Sequence, residues 1–403
     1  MRALVRIILP FALALAALVL FERSAAAYPR YALREGVQCV TCHVDPAGGG
    51  MRNRYGRYKY APTRLPLFNS PSIPPLNVDI GETLAFGADS RSMYYYAQPS
   101  LASGNGKTST FFQMESNLYA AARLYRGGRD GGSGVTLYYT QMSWNNFEAM
   151  GLFQQELGRP DVSLYLKAGR FIPAYGIRFE NHNNYVRQDL GFGPTDQDQG
   201  LEFGAHLGPL LLQGSVLNGT SGPAQFDDNT AKAVTARAEI IRRFGKLRLM
   251  LGGSFYRSET GSATTVSGIS SDGRAILLKT GAHWGASMGR ISYMGELDIS
   301  NNNPFPENKQ ATRSHTFQSY QELDFIVLRG LELNLNYEFR DPDTNVQSGI
   351  LQRFSAGFEI MPIPYVEIKT LFRHSIGTGR PGGLAAMPQD GLNEVIAMLH
   401  LYF

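Results

Sequence analysis

The sequence predicts an all-β chain: a transmembrane antiparallel β-barrel of about sixteen strands, with a short N-terminal haem c segment acting as plug or mouth domain. Three observations carry this prediction. Apolar and polar residues alternate with period two over most of the chain. Leu331, Leu333, Leu335, Tyr337 and Phe339, for example, interleave with Glu332, Asn334, Asn336, Glu338 and Arg340. Connections after even-numbered runs are mostly short and those after odd-numbered runs mostly long, the asymmetry of outer-membrane barrels. Both cysteines fall in one pentapeptide, Cys39-Val40-Thr41-Cys42-His43.

Composition bounds the rest. Of 403 residues, 43% are hydrophobic and 18% charged, with 44 Gly, 21 Tyr and 23 Phe. Aromatic content this high excludes a disordered chain. Two cysteines cannot form a disulfide framework. A net charge of +4 is too near neutral for a nucleic-acid partner.

Residues 1–27 read as a signal peptide. Arg2 and Arg6 make a positive start, Ile7 to Phe21 an apolar run broken by Pro10, and Ala25-Ala26-Ala27 a small-residue cleavage site. The apolar run is short of the ~20 residues a spanning helix needs. No later stretch approaches that length, so a mature chain in a membrane would cross it with strands.

Residues 28–61 form the haem segment. The Cys-x-x-Cys-His spacing lets the Cys39 and Cys42 thiols each reach a haem vinyl group and form thioethers, with His43 as proximal iron ligand. A redox dithiol, a zinc site and a structural disulfide are the rival readings of the same pentapeptide. Met51, after three glycines, is a candidate distal ligand, alongside a histidine from elsewhere or no protein ligand at all. Arg52, Arg54, Arg57, Lys59 and Arg64 make the segment after the motif basic, with Tyr55, Tyr58 and Tyr60 between them. Residues 62–76 read as an extended Pro-rich linker.

Residues 77–403 carry the barrel. The strand candidates are 78–92, 110–125, 134–141, 147–157, 162–170, 199–207, 210–217, 231–243, 246–258, 273–285, 289–299, 315–328, 331–341, 351–360, 364–375 and 392–403. The polar partners of the apolar faces, among them Arg237, Glu239, Lys279, Glu296, Glu322, Asp324, Glu332 and Glu359, should line the pore. Acids concentrate in strands eleven to fifteen, and the basic 52–64 segment is expected to dock on that wall. His182, His206, His283, His315, His374 and His400 are scattered and form no Ser–His–Asp pattern, which argues against a hydrolase.

Two family resemblances join these readings. Lys167-Ala168-Gly169-Arg170-Phe171-Ile172-Pro173-Ala174-Tyr175-Gly176, then Gly200 to Gly204 and Val216 to Gly219, resemble the phosphate-selective porin O and P family. A leader, one Cys-x-x-Cys-His and a porin-like barrel resemble the fused monohaem cytochrome–porin family, with Gly56-Arg57-Tyr58-Lys59-Tyr60 and Tyr28 to Arg34 as the local matches. Asp45 to Gly50 departs from the spacer of the family's iron oxidases. The resemblance implies one covalent haem c in the bacterial outer membrane, facing the periplasm or the lumen. It implies electron exchange between an extracellular redox substrate, such as iron, and a periplasmic c-type cytochrome or other carrier, with outer-membrane lipid around the barrel. The alternative is a solute-conducting porin whose haem-bearing segment is a periplasmic plug or sensor.

Overall fold

A computed structural model describes residues 29–68, 76–98, 106–127, 133–141, 146–159, 161–179, 183–188, 190–220, 227, 229–260, 263–266, 269–272, 275–304, 313–346, 349–377 and 391–403. The leader at 1–27, the middle of the Pro-rich stretch and His182 lie outside these residues.

Strands are numbered in chain order: β1 (Leu84–Gln98), β2 (Thr108–Gly127), β3 (Ser133–Gln141), β4 (Phe147–Glu156), β5 (Val162–Phe171), β6 (Asp198–Leu207), β7 (Leu210–Leu217), β8 (Ala233–Phe244) and β9 (Leu247–Thr260). They continue as β10 (Ala263–Val266), β11 (Ile269–Asp272), β12 (Ala275–Met288), β13 (Ile291–Pro304), β14 (Ser314–Leu328), β15 (Leu331–Asp341), β16 (Leu351–Ile360), β17 (Val366–Gly377) and β18 (Leu392–Tyr402). All but β10 and β11 form one closed antiparallel barrel, sixteen strands in sequence order. The last strand pairs with the first, from Asp89 opposite Tyr402 to Gln98 opposite Asn393, which removes every free sheet edge. β10 and β11 make a separate two-stranded ribbon within the β9–β12 connection, an element the alternation does not reveal.

The alternation sorts residues as expected. Along β8, Ala233, Thr235, Arg237, Glu239 and Ile241 are buried, while Val234, Ala236, Ala238 and Ile240 are exposed. Outward Leu118, Leu201, Leu251 and Phe372 are at least half exposed, which in water would be costly and in lipid is favourable. Most of the short connections lie at one end. Gly245 and Gly289 open two of them at φ 59° and 60°, the left-handed backbone a tight hairpin requires.

The lumen is occupied from both ends. At the short-turn end sits a plug made of helix α1 (Pro29–Glu35), the turn Cys39–Thr41 and a helical stretch through Gly56–Tyr60 and Ala61–Arg64. Pro62 stands in the first turn of that last helix, where its missing N–H costs nothing, so residues 62–64 are not extended linker. Leu67 then donates its backbone N–H to Met361 O. From the other end, the segment after β5 turns inward. Tyr175 Oη donates to Asp298 at 3.0 Å, Ile177 N to Glu296 at 2.8 Å, and Arg187 pairs with Glu296 at 2.6 Å.

The acidic wall exists, but its partner is not the 52–64 segment. Arg30 and Arg34, one helical turn apart on α1, hold it instead. Arg30 meets Glu359 at 2.5 Å, Glu322 at 3.2 Å, Glu332 at 3.4 Å and Asp324 at 3.7 Å, and Arg34 meets Glu332 at 2.6 Å. The 52–64 segment docks where the barrel closes: Arg52 lies 3.7 Å from Asp89, and Arg57 pairs with Asp79 at 2.9 Å and with Phe86 O. The reason is geometric. The helix entering the lumen first reaches β14–β16, and the chain must then return to β1 to begin the barrel.

Candidate functional site

Gly36, at φ 68°, ends α1 and aims the chain across the lumen. The turn Cys39–Thr41 follows, closed by Cys42 N and His43 N donating to Cys39 O at 3.1 and 3.0 Å. This single turn places both thiols and the imidazole side by side. Asn53 holds it from below, its Nδ2 donating to Val40 O, Thr41 O and His43 O at 3.0–3.3 Å while its own N–H reaches Cys42 O at 2.9 Å. Its Oδ1 accepts from Gly56 N at 3.0 Å, and an amide that binds only backbone groups leaves no spacing signal in the sequence.

Asp45 to Gly50 forms a compact lobe between the motif and Met51. Asp45 caps Ala47 N at 2.9 Å and reaches out to Lys167 at 3.2 Å and Arg178 at 3.2 Å. Gly48, at φ 87°, lies so close that a Cβ there would sit 3.0 Å from Cys39 Sγ. Burial would raise the Asp45 carboxyl, but the two cations outweigh it and hold it below its usual range.

Cys39, Cys42 and His43 are half-buried, enclosed by protein yet open to one cavity. Its volume is about 240 Å³, and it opens to solvent on one side. Tyr31, Tyr60, Ile177, Phe179, Met250, Met361 and Tyr402 give it apolar walls, and Arg52, Arg178, Arg237 and His400 give it cations and a titratable ring. Each charge there has a counter-charge, as in Arg237 with Glu239 at 2.5 Å and His400 with Glu367 at 2.8 Å.

The motif's chemistry fits a covalent porphyrin. Both thiols are free rather than paired in a disulfide. Burial pushes the Cys39 thiol up to about 11 and the Cys42 thiol to about 12, so neither is the thiolate a redox dithiol uses. The His43 ring lines the same cavity beside the two thiols. Burial first, then Arg52 and Arg178, lower the imidazole to about 4 and keep it neutral, as metal ligation requires. Among the described residues no three His, Cys, Asp or Glu side chains converge as a zinc cage would need.

Met51 is placed elsewhere. It is buried behind the 45–50 lobe with Tyr119, Tyr138 and Phe171, and Met250 and Met361 are the methionines that line the cavity. The described histidines do not assemble a hydrolytic site: His206 meets Gln38, His283 meets Glu239, His315 meets Asn301 and His374 meets Asn393.

No family model matches the chain, and no curated protein matches it. Solved structures do. In-vitro folded OmpT, an outer membrane protein of Vibrio cholerae, is 10% identical at a TM-score of 0.54, covering 79% of this chain and 97% of that one. OprB of Pseudomonas putida is 11% identical at 0.55, covering 80% and 94%. The outer membrane channel DcaP of Acinetobacter baumannii is 9% identical at 0.55, covering 81% and 99%. The barrel therefore has the fold of bacterial outer-membrane porins.

Proposed function

We propose that this chain is an outer-membrane barrel that carries one haem c on a plug inside its lumen and passes electrons between the two sides of the membrane. One observation carries the reading: two free thiols and a neutral imidazole, adjacent on one turn, line a single cavity within a closed barrel. Cys39 and Cys42 would hold the porphyrin and His43 its iron. When bound, the group supplies reversible one-electron chemistry at iron.

The chain's own residues do the remainder. Asn53 keeps the motif's carbonyls in place, so the three attachment side chains stay on one face of one turn. Arg52 and Arg178 present positive charge to the cavity, suited to carboxylates on a bound macrocycle. The Arg30 and Arg34 clamp holds the plug against the acidic wall and keeps bulk solvent from filling the lumen. Mostly short turns at the plug end and mostly long connections at the other support a plug that faces the periplasm, and an extracellular donor or acceptor such as iron would approach through the long loops.

A second reading is a solute channel in which the haem segment is a tether, plug or sensor. The likeness to porins supports this reading; the packing of plug and inward loop supports the first. Haem staining on a denaturing gel tests the group itself: wild type stains, and Cys39→Ala with Cys42→Ala does not. Planar-bilayer recording with haem absorbance then separates the readings. A nearly closed pore whose haem responds to ferrous iron on the loop side supports the conduit. A large steady conductance that persists without haem selects the channel.

A further inference from the structure

The cavity opens at the short-turn end, where Tyr55, 46% exposed, belongs both to its lining and to the outer surface of the plug. Charge at this mouth is lopsided. The plug presents Lys59 and Arg64, both exposed, and Arg54, which lies 3.4 Å from Asp79 and 3.9 Å from Glu82. The rim presents Arg243 and Arg248 beside Gly36, and Arg329, which donates to Leu67 O at 3.4 Å. The exposed acids among the described residues here are Glu82, 3.0 Å from Arg126, and Asp161, 2.8 Å from Arg159.

Two features separate this patch from ordinary surface solvation. Arg243 and Arg248 are direct cross-strand partners, a like-charge pairing that costs stability rather than adding it. They also share the inward alternation of Ile241 and Met250, which line the cavity, so they face the mouth and not the lipid. Arg242, on the outward face with its guanidinium 5.5 Å from the Phe244 ring, is the kind of residue a lipid headgroup can reach. Lys59 and Arg64 stand on the plug, and Arg243 shares the inward alternation of β8, so these three face the mouth and not the outer, lipid-facing wall. What can reach them is a macromolecule approaching from the water beneath the barrel.

We infer that this mouth is a docking face for the acidic surface of a water-soluble one-electron carrier, seated over the opening of the cavity. This rests on the proposed electron-transfer reading and names the chemistry of its soluble partner. One electron crosses per encounter, one centre being oxidised as the other is reduced, with no bond made or broken. Complementary charge would speed the encounter and make it sensitive to salt.

The test uses the full protein in nanodiscs of zwitterionic lipid, with acidic flavodoxin and basic mitochondrial cytochrome c as soluble probes and binding read by surface plasmon resonance. The acidic probe should bind and the basic one should not. Reversing charge with Lys59→Glu, Arg64→Glu and Arg243→Glu together should weaken binding about tenfold, and neutralising the same three with Gln should weaken it less. Unchanged binding in both variants, equal binding of the basic probe, or no binding of the acidic probe overturns the inference. Binding of the acidic probe that requires anionic lipid and ignores the substitutions also overturns it, in favour of headgroup contacts. Binding does not depend on haem. A wild type that lacks haem yet binds the acidic probe with these variant effects would refute the proposed function while leaving the docking face intact.

Discussion

Asp45 shows at the scale of one side chain how the plug is joined to the wall. Its carboxylate is buried against Lys167 and Arg178, and Lys167 also touches Glu202 at 2.9 Å. Removing one member of such a buried network leaves charge uncompensated, at a cost of about 3–5 kcal/mol. Asp45→Asn should therefore raise hydrogen exchange in peptides from 29–67 while the strands stay protected. The pH dependence has a definite sign. The folded carboxyl is held below its unfolded value of ~3.9, so its contribution is fully present above that value and is lost as pH falls through the lower folded one. Corrected for intrinsic exchange, the difference in plug protection between wild type and Asp45→Asn should be constant from neutral pH down to about 4 and shrink only in stronger acid; a difference that already shrinks well above about 4 would contradict this. Met51 gives a second test. It packs in the core cluster and does not line the cavity, so Met51→Ala should cost about 2–5 kcal/mol of stability and leave the spectrum of the proposed haem unchanged. Met361→Ala and Met250→Ala are the substitutions in which a lost methionine ligand would show in that spectrum.

Helix α1 is the element on which the plug's position depends. Arg30 and Arg34 enter the lumen fully buried, a placement tolerated because four carboxylates meet them. Burial works against the charged Arg30 guanidinium, but Glu359 and Asp324 outweigh it and hold the group above its ordinary value. Replacing both arginines with Met preserves helix propensity and bulk and leaves the wall's acids unpaired. Single-channel recording of this double variant should show larger and noisier conductance than wild type, and a trace indistinguishable from wild type would mean that other contacts hold the plug. The strands were legible in the sequence because lipid and lumen impose opposite demands on successive residues, as along β8 and β15. The plug's partner was not. Acids on β14–β16 and cations at both 30–34 and 52–64 are visible in the sequence, but which basic group reaches the wall depends on the chain's path through the lumen. The inward turn after β5 was equally hidden. Its contacts run from Tyr175 to Asp298 and from Ile177 to Glu296, pairs more than a hundred residues apart that leave no local pattern.

At the scale of the whole molecule, the Cys-x-x-Cys-His turn has a defined environment because a barrel surrounds it. The plug is short for an independent domain, and its apolar residues complete their packing on barrel residues, as Tyr31 and Leu65 do with Met361, Tyr365 and Tyr402. The barrel in turn depends on lipid. Its outward residues are apolar and exposed from Leu118 on β2 to Leu399 on β18, and no described helix is long and apolar enough to cross a membrane. Depth in the bilayer should then decide the cost of an outward charge. Leu251 lies toward the middle of β9, whereas Phe244 ends β8 beside a short turn. Leu251→Arg should cost about 2–4 kcal/mol in urea-driven refolding into lipid vesicles, and Phe244→Arg about 0–1 kcal/mol. An inward substitution of similar size, Ser254→Arg, would act through the lumen and should not follow this depth rule. Equal costs at Leu251 and Phe244 would mean that the apolar band does not face hydrocarbon, and the proposed electron path through the membrane would lose its physical basis.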